Sequence, residues 1–273
     1  MKWKNVQSLP ENQFRRITGV KHKTFEKMIE IVAVADKKKK AKGGRPKDLC
    51  IEERILMTLE YLREYRTYAH IGASYGLAES NTYKNIRWIE DVLIKSKEFR
   101  LPGKKALLKN DHEFEVILID ATETPIERPK KKQCQFYSGK KKRHTLKTQV
   151  VVDKKTKQII CTDFSNGKRH DFRLFKESKV RLTDDVKALT DTGYLGLHKI
   201  HANIAMPKKK SKKKPLTNED KQQNHILSSM RVINEHVIGK VKRFKITADR
   251  YRNRRKRFGL RFNLIAGVYN FEL

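Results

Sequence analysis

The sequence is poor in three things. It has three cysteines, Cys50, Cys134 and Cys161, far apart and without paired spacing. An odd, scattered set excludes a disulfide framework and a cysteine-based zinc module, and points to a reduced intracellular compartment. No apolar run approaches the ~20 residues that a bilayer span needs. Met1-Lys2-Trp3-Lys4-Asn5 has no apolar signal core behind it. The expectation is a soluble cytoplasmic protein, with no membrane partner. Acidic residues are also scarce: 31 Asp and Glu stand against 64 Lys and Arg, a formal net charge of +33 over 273 residues. That surplus excludes an ordinary enzyme acting on a small metabolite. It implies a polyanion, with nucleic acid ahead of an anionic membrane surface, because phosphate neutralisation supplies affinity without any sequence code. A nucleoid-associated protein follows.

The charge is spread over many runs, Lys37 to Lys40, Lys130 to Lys132, Lys140 to Arg143, Lys208 to Lys214 and Arg252 to Arg257, rather than gathered in a tail. Residues 1–35 form a small helical segment, with Phe25, Met28, Ile29 and Val32 at helical spacing behind Thr24 as a cap. Residues 36–50 are a basic linker rich in Lys, with Gly and Pro, suited to touching phosphates. Residues 51–100 form an all-α domain. A helix over 51–65 carries Ile51, Ile55, Leu59 and Leu62 on one stripe. A short helix from Tyr68 to Ser74 follows, then Tyr75-Gly76-Leu77, then a longer helix from near Ser80 with Ile86, Ile89 and Leu93 inward. This is the helix-turn-helix pattern, whose second helix enters the major groove. Asn81, Lys84 and Asn85 are the candidate DNA contacts, for base edges or phosphates. An ordinary helical hairpin gives the same pattern; the charge balance favours DNA.

After Pro102 the pattern changes to strands, and residues 112–273 read as a second domain. Val116-Ile117-Leu118-Ile119 is a strand buried on both faces, and it ends in Asp120. An unpaired charge in an apolar core is costly, so the Asp either sits at a sheet rim, where ligands bind, or merely starts a turn. Residues 122–146 should be extended or looped. They carry Lys130, Lys131, Lys132, Lys140, Lys141, Lys142 and Arg143 around Phe136 and Tyr137, a composition suited to tracking a phosphate backbone. Residues 148–152 and 158–162 are strands joined by a hairpin-length turn. Asp171 opens a helix, with His170-Asp171 read as cap and satisfied core. Residues 186–191 form a second short strand ending in a carboxylate, Asp191, with Gly193 beside it; another strand spans 203–206. His198 and His201 lack a third ligand and read as core or surface. Thr217 caps a helix to about Lys240, on which Arg231, Glu235 and Lys242 share a face. Residues 258–269 pack as a closing helix.

The order of elements is a mixed α/β sheet. If the Asp120 and Asp191 strands are parallel neighbours, both carboxylates leave the same sheet edge, and Glu235 completes a trio. Three such groups without cations repel one another. Two magnesium ions, with manganese as a substitute, relieve the repulsion and perform in-line displacement at phosphorus. Arg231 and Lys242 then hold DNA phosphate or orient Glu235.

Four segments, "IDATETPIERPKKK", "YSGKKKRHTLK", "DTGYLG" and "RVINEHVIGKVK", stand in an order and spacing that resembles bacterial insertion-sequence transposases of the DDE class, in the insertion-sequence-five group. With the helix-turn-helix the resemblance covers roughly residues 45–273. It implies an RNase H-like catalytic domain behind the all-α domain, magnesium dependence, recognition of terminal inverted repeats in double-stranded DNA, cleavage at element ends, and joining of the 3′-hydroxyl to target DNA. It gives no small-molecule substrate. Holding two ends together calls for a homodimer on DNA. The family pattern around the last carboxylate is Tyr-x2-Arg-x3-Glu-x6-Lys; Arg231, Glu235 and Lys242 match, and Ser228 stands at the Tyr position. The alternatives are a metal-dependent nuclease, a derivative that binds DNA without strand transfer, and a non-enzymatic DNA-binding protein.

Overall fold

A computed structural model describes residues 2–43, 47–108, 114–210 and 215–273. Residues 44–46 of the basic linker, the expected domain start at 112 and residues 211–214 of the lysine run lie outside the described residues. The chain divides into two compact units, one of Met1–Arg100, Val241–Asp249 and Leu260–Glu272, the other of Leu101–Lys240 and Arg250–Gly259 with Leu273.

The first unit is helical: α1 (Glu11–Thr18), α2 (His22–Lys40), α3 (Ile51–Arg63), α4 (Tyr68–Tyr75) and α5 (Glu79–Lys95). Helix α3 is its axis, buried without a break from Arg54 to Leu62, where the sequence predicts a single apolar stripe. The predicted linker also begins later than expected. Asp36 to Lys40 form the last turn of α2, because Asp36 is buried and pairs with Arg54 of α3 at 2.8 Å and with Lys40 at 3.2 Å. Thr24 is no cap; it lies inside α2, and its hydroxyl donates to Glu272. The turn between α4 and α5 is closed by glycines. Gly76 takes a φ of 68° at the end of α4, and a Cβ at Gly72 would stand 2.5 Å from the Leu77 carbonyl oxygen.

The second unit is built on one six-stranded mixed sheet: β1 (Val116–Pro125), β2 (Tyr137–Ser138), β3 (Arg143–Asp153), β4 (Ile159–Asn166), β5 (Lys187–Leu189) and β6 (Ile204–Ala205). Strand β3 pairs antiparallel with β1, β2 and β4, while β5 pairs parallel with β1 and β6 parallel with β5. The order β4–β3–β1–β5–β6, with helices flanking, is the RNase H-like arrangement. Helix α6 (Gln133–Phe136) precedes β2, α7 (Asp171–Ser178) follows β4, and α8 (Asn218–Lys242) follows β6. The core under the sheet holds Ile117, Ile119, Val151, Ile160, Phe175, Ala188 and Tyr194. Thr217 caps α8 reciprocally: its hydroxyl accepts from the Asp220 N–H at 3.1 Å, and the Asp220 carboxylate accepts from the Thr217 N–H at 3.4 Å. The segment 122–146 is not one loop. Strand β1 runs on to Pro125, opposite Thr145, and Lys140 to Lys142 form the turn between β2 and β3.

The chain closes with α9 (Lys245–Ala248) and α10 (Phe258–Phe271). In the first unit Arg261 of α10 is buried against Glu90 of α5 at 2.7 Å and also donates to the Tyr68 hydroxyl at 3.2 Å. Among the described residues no helix is long and apolar enough to cross a membrane.

Candidate active site

Asp120 does not end its strand. Antiparallel pairing with β3 continues past it to Pro125. What ends is the parallel neighbour, whose last pair is Leu118 with Leu189. Asp120 stands two residues beyond Leu118 and Asp191 two beyond Leu189, so the two carboxylates occupy matching positions just past the end of the β1–β5 ladder. There the sheet has a gap on one side of β1. Side chains can gather without breaking a ladder, and this is where ligands of open sheets bind.

The carboxylates feel one another. Burial, with the negative charges of Asp191 and Asp171 added to it, pushes Asp120 up to about 6; the Ala121 N–H and the cation of Arg231 pull against that rise. The Ala121 N–H donates to Asp120 Oδ1 at 2.8 Å, and the Gly193 N–H donates to Asp191 Oδ1 at 2.8 Å, where Asp191 caps a short 3₁₀ turn, Thr192–Tyr194. His170 holds the N-cap position of α7, and the helix opens with Asp171. Asp171 Oδ1 accepts from Lys147 Nζ at 2.7 Å, and its Oδ2 lies so near Gly193 that a Cβ there would be 2.6 Å away. The same Cβ would stand 2.9 Å from Asp191 Oδ1. The Asp-x-Gly spacing was the one available signal, since only glycine lets two carboxylates close on that backbone.

The members of α8 divide. Arg231 is half-buried and near enough to Asp120 to favour its charged form. Asn234 is buried, Glu235 is exposed, and Lys242 is half-buried in the last turn of the helix. The structure therefore brings together Asp120, Asp191 and Arg231, adds Asp171, and leaves Glu235 on the solvent side of α8. Among the described residues no three His, Cys, Asp or Glu side chains form a closed set of metal ligands. The donor chemistry nonetheless suits a hard divalent cation: oxygen-only groups, crowded by like charge, around a backbone that admits no side chain. The two histidines stay outside. His201 is buried and bonded to the Val186 carbonyl oxygen at 2.7 Å, and His198 is exposed.

In the first unit, Asn81 and Lys84 are exposed on the opening turns of α5. Asn85 is held inward, its Oδ1 accepting from Arg54 Nε at 3.1 Å and its Nδ2 donating to the Asn81 carbonyl at 3.0 Å. These residues line a cavity of about 300 Å³ that Lys39 and Lys47 also face. Trp88 lies on its wall beneath Arg54, 4.4 Å from the ring centroid, and Lys39, 5.0 Å from it. Burial, with the neighbouring charges of Lys47 and Arg54, lowers the Lys39 ammonium below its ordinary value. Lys130, Lys131, Lys132, Lys140, Lys141, Lys142 and Arg143 are all exposed.

Comparison with known proteins agrees with both halves. Residues 119–270 match the DDE superfamily endonucleases, and residues 47–98 match the helix-turn-helix of those endonucleases. The chain belongs to the DDE superfamily. It is also 49% identical over 273 residues, 100% of this chain and 99% of the relative, to the probable transposase for insertion sequence element IS702 of Microchaete diplosiphon. The DDE match begins one residue before Asp120 and spans Asp171, Asp191 and all of α8. Membership carries an endonuclease, a DNA-binding helix-turn-helix and dependence on a divalent metal.

Proposed function

We propose that the protein is an insertion-element transposase that binds the terminal inverted repeats, cleaves at the element ends and joins the 3′-hydroxyl to target DNA. The observation that carries this reading is the matching offset of Asp120 and Asp191 beyond the β1–β5 ladder. The 49% identity to a probable insertion-element transposase of Microchaete diplosiphon supports it. Asp120 and Asp191 would hold magnesium, two ions in all, with manganese able to replace it; Glu235, exposed on α8 in this structure, would have to turn in to join them. Ions held there would supply Lewis-acid activation of the attacking oxygen and charge stabilisation of the leaving one in an in-line displacement at phosphorus. The protein's part is positioning. Ala121 and Gly193 donate N–H groups that fix one oxygen of each aspartate. Arg231 offsets local negative charge and, with Lys242, meets DNA phosphate. Asn81 and Lys84 meet DNA in the groove, Asn85 sets their helix against Arg54, and the exposed basic residues from Lys130 to Lys132 and from Lys140 to Arg143 follow the backbone. Two copies hold two ends.

Incubation with a labelled terminal repeat, target DNA and magnesium tests the proposal. Joined strand-transfer product is the expected outcome. The exposure of Glu235 and the Ser228 substitution favour one second reading, a nuclease or DNA-binding derivative without strand transfer. Cleavage alone, or binding without cutting, in the same assay selects it.

A further inference from the structure

We infer that Asp171 is a further carboxylate ligand of the divalent-metal centre, and that Lys147 is the residue that positions it. The inference rests on the metal-centre reading of Asp120 and Asp191. Each of the three aspartates has one oxygen fixed by the protein: Asp120 by the Ala121 N–H, Asp191 by the Gly193 N–H, and Asp171 by Lys147 Nζ, each Oδ1 at 2.7 to 2.8 Å. Among the described residues no hydrogen bond reaches the Oδ2 of any of them. The pattern is that of carboxylates oriented by a supporting group and turned toward something else.

Lys147 is well placed for this task. It is 8% exposed, and its ammonium also donates to the Arg169 carbonyl at 2.6 Å and lies 3.7 Å from Glu123, its register partner on β1. Glu123 in turn accepts from the Thr145 hydroxyl at 2.8 Å. A lysine anchored on three sides holds Asp171 in one direction, against Gly193. Tyr194 supplies the second, independent observation. It is 0% exposed, its hydroxyl has no hydrogen-bond partner among the described residues, and its electrostatic neighbours are Asp171, Asp120 and Asp191, with Arg231 opposing them. A buried phenol left unpaired beside three acids is costly unless something polar joins it. A hydrated divalent cation would supply that: its water would donate to the phenol oxygen while the aspartates take the metal.

The test is calorimetric titration of Mn²⁺ into the full-length, DNA-free protein. Asp171→Asn should weaken Mn²⁺ binding by about tenfold or more. Lys147→Met should weaken it similarly, and Lys147→Arg, which keeps the charge, should restore part of the loss. Binding to a short terminal-repeat duplex should be unchanged, which separates metal loss from misfolding. Should Asp171→Asn fail to melt cooperatively, Gly193→Ala decides, since its Cβ forces the Asp171 and Asp191 oxygens apart and should cost Mn²⁺ affinity to a similar degree. Wild-type Mn²⁺ affinity in a folded Asp171→Asn, or in Gly193→Ala where it decides, while Asp120→Asn loses the ion, overturns the role of Asp171 and leaves the centre intact. Wild-type affinity in Asp120→Asn as well overturns the centre itself.

Discussion

Asp120 is a half-buried acid pushed up to about 6, chiefly by burial. Its unfolded value is near 3.9, so the folded state binds this proton more tightly. Its contribution favours folding at low pH and is lost as pH rises from about 4 to about 6. The rise is worth roughly 2–3 kcal/mol. Asp120→Asn should therefore stabilise the metal-free protein at neutral pH while abolishing cleavage and sparing DNA binding. Thermal melts in a chelator at pH 4 and pH 7 check the first point, and unchanged wild-type stability between those values counts against it. The thiols give a second test. Cys161 is buried and pushed up to about 12 by that burial, whereas Cys50 and Cys134 are exposed. A disulfide reagent should label two thiols in the native protein and the third only on unfolding. The sequence announced the two aspartates because each follows an apolar run. It did not announce Asp171, whose neighbours His170 and Phe172 read as an ordinary helix start. Its role depends on Lys147, twenty-four positions earlier, and on the closeness of Gly193, and neither is a local pattern.

Elements with strong periodicity were legible. The pair of helices flanking Gly76, the β3–β4 hairpin, the capped α8 and the closing α10 stand where the spacing puts them. Elements made by long-range pairing were not. The residues after Asp120 lack an apolar run, yet they continue β1 because β3 offers hydrogen bonds through Thr145. Asp36 to Lys40 look like linker by composition, yet they are helical because Arg54 buries the Asp36 charge. The α5–α10 contact within the first unit follows the same logic. Glu90 is 0% exposed and faces Arg261. Arg261→Met removes the paired cation from a buried carboxylate and should cost about 3–5 kcal/mol in urea unfolding. A loss below 1 kcal/mol would mean that the pair is not the tie between these helices.

At the scale of the whole chain, a net charge of +33 sets the behaviour toward DNA. Affinity for a duplex should fall steeply and linearly on a log–log plot against salt, as counterions released by many phosphate contacts require. A nearly flat dependence would remove the basic surfaces from the footprint. Lys84→Ala should lower the slope by about 1. The first compact unit also has a consequence in time. It is made of the first hundred residues together with pieces from after Lys240. On the ribosome, α5 emerges with Glu90 about 170 residues before Arg261, its ion-pair partner on α10, has been made. The amino-terminal helices are thus born incomplete. A fragment ending at Arg100 should lack a sharp thermal transition and depend on chaperones, whereas the finished polypeptide should not.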